Sequence, residues 1–206
     1  GRIDEAVQAV GERAAKAVPA SYETIASLRW LADTLPRRDR RLATWVAAIV
    51  RECARQAAEE DSSLDRDLLS FAVLAAGEES ARIIEQWPTA GWSEEEIRRL
   101  QLVRDVMRQQ RSPDPAGKAS VDRWIELAGR WEEDGDPWLR GSIYRELVAA
   151  TPGDLRSYAV GKLRKGDGAE SYQALRAIND LGGTLTEEQK EEIEEGQRSD
   201  RVYLGE

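Results

Sequence analysis

WIELAGRWEEDGDPW, residues 124–138, holds three of the chain's seven tryptophans around an acidic turn. Trp124, Leu127, Ala128 and Trp131 recur at i, i+3, i+4 and i+7, the spacing that stacks side chains on one face of a helix. Gly135-Asp136 then makes a turn, and Pro137 suits the first position of a new helix. Beyond it Leu139, Ile143, Tyr144 and Leu147 continue the helical spacing. The stretch reads as two helices folded against each other, with the tryptophans as their interlocking core. An aromatic ligand cage would need the rings exposed together, and their alignment on one apolar stripe argues against it. Trp138 is the ring that the pattern leaves open.

The same period runs along most of the chain. Val7, Val10, Ala14 and Val18 form one stripe, and Ile25, Leu28, Ala32 and Leu35 a second. Leu42, Trp45, Val46, Ile49 and Cys53 form a third, and Leu64, Leu68, Phe71, Ala72 and Ala75 a fourth. Alternating strand patterns are absent, so the fold class is all-α. Capping signals mark the starts of helices. SEEE at 93–96, DGAE at 167–170 and TEEQ at 186–189 read as capping boxes. Asp136-Pro137 and Thr151-Pro152 each pair a capping side chain with a proline. Starts near 94, 121, 137, 152, 168 and 187 imply short antiparallel neighbours. One break stands out: RSPDPAGKAS, 111–120, has two prolines and no large apolar residue. It divides an N-terminal helical part, 1–110, from a C-terminal helical-repeat part, 121–206, unless the whole is one continuous array.

The 121–152 stretch resembles the tetratricopeptide repeat, W-x2-L-G-x2-Y, then A-x3-F, then P, over about 34 residues. Here the pattern is Trp124-x2-Leu127-Ala128-x2-Trp131, then Arg140-x3-Tyr144, then Pro152, with Gly135 at the inter-helix glycine. Arg140 departs from the small residue that lets the two helices approach. Residues 153–183 echo the pattern loosely through Leu155, Ala159, the Gly166-Asp167 turn, Leu175 and Ile178. Gly77, preceded by Leu69 and Val73, is a poorer third. DPWLR and GDLR are also similar to the opening of HEAT repeats. Both families are α-solenoids of stacked hairpins, so the resemblance implies a short solenoid with a concave face that binds extended or helical peptides. It also implies that Asp122, Ile125, Glu126, Gly129, Glu132 and Glu133 face that groove. Ile125, Glu126 and Gly129 occupy positions where some relatives clamp a partner's C-terminal carboxylate with Lys and Asn, so that clamp is not expected here.

Composition narrows the chemistry. The chain has 206 residues, no histidine and one cysteine. Nucleophilic triads and dyads with an imidazole base, and zinc or di-iron sites built on histidine, therefore cannot form. No internal disulfide is possible, which favours a reducing compartment, and the expected location is cytoplasmic. No apolar run is long enough to span a bilayer. The chain starts at Gly1 and its single methionine is Met107, which reads as a piece of a longer protein. The net charge of −9 argues against general nucleic-acid binding. NDLGGTLTE, 179–187, resembles a terpene-synthase metal motif through Asn179, Asp180 and Glu187, but Gly183 stands where a hydroxyl ligand belongs. The plainer reading is that Gly182 and Gly183 end one helix in left-handed geometry and Thr186 caps the next.

The expected role is a protein-interaction module, a scaffold or adaptor, with no catalytic residue, cofactor or metal. Its expected partner is a basic or amphipathic peptide drawn to Asp122, Glu126, Glu132 and Glu133, with Ile125 as the apolar contact. Trp87 and Trp92 flank a PTAG loop, either packed on each other or partly exposed at a partner site. Two other classes stay open. A nucleic-acid-binding α-solenoid would bring the clusters Arg37–Arg41 and Arg104–Arg111 onto one surface. A carboxylate-dependent Mg²⁺ enzyme would gather Asp and Glu inward from several helices.

Overall fold

The computed structural model describes residues 2–16, 22–36, 39–59, 66–112, 117–130, 137–164 and 172–203. Side chains at 22, 33, 57–59, 66–67, 137–142, 172–174 and 196–203 are not among those described. The helices are α1 (Arg2–Lys16), α2 (Tyr22–Thr34), α3 (Arg40–Glu59), α4 (Arg66–Ala75), α5 (Glu78–Glu85) and α6 (Glu94–Gln110). They continue as α7 (Lys118–Gly129), α8 (Pro137–Ala150), a 3-10 turn (Gly153–Leu155), α9 (Arg156–Leu163), α10 (Tyr172–Asp180) and α11 (Glu187–Tyr203). The protein is all-α, with no strand among the described residues. It divides into two compact units, 1–100 with 199–206, and 101–198. The boundary falls inside α6, and segment 111–120 lies within the second unit.

In the first unit α3 is the central helix, packed by α1, α2, α4 and α5. Its stripe buries Leu42, Trp45, Val46, Ile49 and Val50, while Cys53 is half-buried at the stripe's end. Gly11 of α1 lies directly on the Trp45 indole, where even a methyl group would collide with the ring. Asp39 starts α3. Its carboxylate accepts the backbone N–H of Arg41 at 2.8 Å and the Arg41 guanidinium at 3.0 and 3.1 Å. The charged run around residue 39 thus contains an N-cap held by its own arginine, a feature the sequence reading passed over. The left-handed residue ending α4 is Ala76, φ 49°. The neighbouring Gly77 has an ordinary φ of −78° and lies close to Ala43.

In the second unit α7 packs on α8, α9 on α7 and α10 on α8. Trp124 is 1% exposed and lies in the core with Val121, Leu127 and Ala128. Ile143, Tyr144 and Leu147 are buried on α8, and Leu175, Ala177 and Ile178 on α10. Residues 131–136 and the side chains of Trp138, Leu139 and Arg140 lie outside the described residues.

The boundaries follow local chemistry, with corrections to the expected starts. Ser93 and Glu96 form a reciprocal capping box: Ser93 N–H donates to Glu96 at 2.8 Å, and Glu96 N–H to the serine hydroxyl at 3.3 Å. Thr186 and Gln189 form another, at 2.9 and 3.2 Å. The box expected at 167–170 lies outside the described residues. α7 begins at Lys118 rather than near 121, because Gly117 takes the N-cap position. The hydroxyl of Ser120 accepts Gln109 Nε2 at 2.8 Å, tying the start of α7 to the end of α6. Thr151 is not an N-cap either: its hydroxyl donates to the Leu147 carbonyl at 2.6 Å and so finishes α8. Pro152 is extended before the 3-10 turn, which delays α9 to Arg156.

At 181–183 only Gly182 is left-handed, φ 80°. Its N–H reaches the Asn179 carbonyl at 2.9 Å, and that of Gly183 reaches Ile178 at 2.8 Å, a Schellman ending. Gly183 has an ordinary φ and is small because a Cβ would collide with Ile178.

Candidate functional site

Position along α7 separates its residues into two faces. Ser120, Val121, Trp124, Leu127 and Ala128 turn inward. Lys118, Asp122, Ile125 and Gly129 recur at intervals of three and four on the opposite side. Lys118, Asp122, Glu126 and Gly129 are exposed and Ile125 is half-exposed. Four of the six expected groove residues thus lie on the outer side of one helix. Glu132 and Glu133 lie outside the described residues.

This face meets α9 through a contact that the sequence reading did not include. The Tyr158 hydroxyl donates to the Asp122 carboxylate. That hydrogen bond, with smaller help from burial, pushes the phenol's pKa up. The Lys118 ammonium stands 5.2 Å from the Tyr158 ring centre and that of Lys162 stands 5.7 Å away, both within cation–π range. Glu126 accepts the Arg123 guanidinium at 2.6 Å, one turn away. Both described acids expected to attract a basic partner therefore have a donor of their own. On α9, Tyr158, Gly161 and Lys162 share one side at i, i+3 and i+4, opposite the buried Ala159, Val160 and Leu163. A large aromatic on the polar side of a short helix was the available signal.

The other expected features have intramolecular roles. Arg41 pairs with Asp39 at 3.0 Å and reaches Asp4 of α1 at 3.7 Å. Arg108 pairs with Asp105 at 3.2 Å, and Arg111 donates to the Met107 carbonyl at 3.0 Å. Asp105 also accepts Arg130 at 2.8 Å, fastening the end of α7 to α6. Arg37 and Arg38 lie outside the described residues. Trp87 is buried, and Trp92 is half-buried. Among the described residues no three Cys, Asp or Glu side chains converge as a metal-binding group. No described helix is long and apolar enough to cross a membrane.

No protein family, curated protein or solved structure matches this chain.

Proposed function

We propose that the chain is a protein-interaction module, with α7–α10 acting as two stacked helix hairpins of solenoid type. Part of the contact pattern supports this: α7 packs on α8 as one pair, with α9 laid on α7 and α10 on α8. Among the described residues α9 and α10 are not closely packed on each other. The outer sides of α7 and α9 form the binding face, which receives an amphipathic segment of a partner. The observation that carries the reading is Ile125, a half-exposed β-branched side chain between Asp122 and Gly129 on an otherwise polar stripe. Of the basic or amphipathic partner expected, the amphipathic form is the better supported, because Arg123 balances the Glu126 charge and the Tyr158 hydroxyl occupies Asp122. Apolar contact at Ile125 then supplies much of the affinity, with charge setting orientation and encounter.

The test uses peptides selected from a random displayed library against the whole chain. With Ile125→Asp, helicity and thermal midpoint should hold while affinity falls about tenfold, mainly through faster dissociation. Selected peptides that bind the variant as tightly as the parent would place the binding surface elsewhere.

A further inference from the structure

Among the described residues the outer sides of α7 and α9 carry Lys118 and Lys162 against the single unbalanced carboxylate of Asp122, since Glu126 and Arg123 balance each other. Lys118 and Lys162 are exposed, and no carboxylate pairs with either of them among the described residues. Asp122 accepts the tyrosine hydroxyl, and Glu126 holds Arg123. Segment 153–164 contains one acid, Asp154, against Arg156, Lys162 and Arg164. In a chain of net charge −9 this is a local surplus of positive charge. Lys118 and Lys162 both stand over the Tyr158 ring, and Ile125 shares the Lys118 side of α7.

The glycines of the same two helices add an independent observation. Gly161 lies inside α9 and Gly129 ends α7, and a Cβ added at either would meet nothing within 4 Å. Glycine weakens a helix interior relative to alanine, and no neighbour among the described residues requires it at 161. An unfilled position beside Tyr158 lets an external backbone approach α9 closely.

We infer that this face docks an acidic amphipathic segment of a partner protein, with its carboxylates beside Lys118 and Lys162 and its apolar side chains on Ile125 and Tyr158. The inference rests on the interaction-module reading and adds the partner's charge. Carboxylates meeting Lys118 and Lys162 gain ammonium partners and leave the Asp122–Tyr158 hydrogen bond in place. A basic segment would meet those ammoniums directly and be repelled.

The peptides selected against the whole chain decide the matter, with a single-stranded oligonucleotide as a second probe. They should be rich in Asp and Glu interleaved with apolar residues, and their affinity should fall as salt rises. Lys118→Glu with Lys162→Glu should weaken them about tenfold without changing helicity, while Lys118→Arg with Lys162→Arg should retain binding. Peptides rich in Lys and Arg, or acidic peptides indifferent to the charge reversal, would overturn the inference. Tighter binding of the oligonucleotide, lost on the same reversal, would overturn it in favour of a phosphate-bearing partner. Binding sensitive to Ile125→Asp but not to the lysines would remove this inference and leave the interaction module standing. Insensitivity to both would remove both.

Discussion

Two helix contacts in this molecule have opposite designs. Where α1 meets α3, Gly11 lies against the face of Trp45, Val7 and Ala14 are buried, and no room is left for a methyl group. Where α7 meets α9, the contact includes a hydrogen bond from Tyr158 to Asp122, two lysines over the ring and a glycine with open space above it. The first contact excludes water and tolerates no change of volume. The second keeps its polar groups within reach of solvent and of anything that arrives from solvent. Close packing suits a scaffold, whereas an open polar contact can exchange water for a ligand at little structural cost.

The sharpest way to break this comparison is to remove a ring on the dry side. Trp45→Ala should lower stability by about 3–5 kcal/mol in a denaturant titration, and Trp124→Ala should do the same by emptying the core beneath the proposed binding face. A cost below about 1 kcal/mol at Trp45 would mean that α1 and α3 are not locked as described. Gly11→Ala comes next. Alanine is the better helix former, yet the collision with Trp45 should leave the variant about 1–3 kcal/mol less stable. A stabilised variant would show that α1 can move away freely.

The polar rim of the same contact responds to acid. The Arg41 guanidinium holds the Asp39 carboxyl below the usual aspartate range. A depressed pKa contributes stability above the unfolded-state value, and that stability is lost as pH falls through the folded-state value. Asp39→Asn keeps an N-cap acceptor and loses the charge. It should therefore cost about 0.5–1 kcal/mol at neutral pH, and the gap from the parent should close as pH drops below about 4. A gap independent of pH would assign the effect to the cap alone.

On the wet side the same kind of change should have the opposite sign. Gly161→Ala should stabilise the chain by up to about 1 kcal/mol, because nothing opposes the methyl group, and should weaken peptide binding by crowding the approach. Tyr158→Phe should be the mildest change, leaving the thermal midpoint close to the parent's, since an exposed hydrogen bond is exchanged for one with water. If Tyr158→Phe costs as much as Gly11→Ala, the two contacts do not differ in kind.

Periodicity made the helices and most of their inward faces legible, down to Trp124 and the α3 stripe. The two described capping boxes were legible because each is a local signal of four residues. The candidate face was only half legible. Asp122, Ile125, Glu126 and Gly129 follow from the repeat resemblance and lie on the outer side of α7, but their pairing depends on neighbours. Asp122 meets Tyr158, thirty-six positions away, which no local pattern reports. The same limit hid Gly11: a glycine in an amphipathic helix looks like a weak position until Trp45 is placed against it. Thr151 misled for a related reason. Its hydroxyl can serve the helix before it or the helix after it, and here the Leu147 carbonyl wins.

Hydrogen exchange on the chain saturated with a selected peptide tests the central claim most directly, because it locates the binding surface without altering it. Added protection should appear in 118–129 and 156–163 and leave the exchange of α1 and α3 unchanged. Protection confined to the first unit, with 118–129 and 156–163 exchanging as in the free chain, would contradict the account.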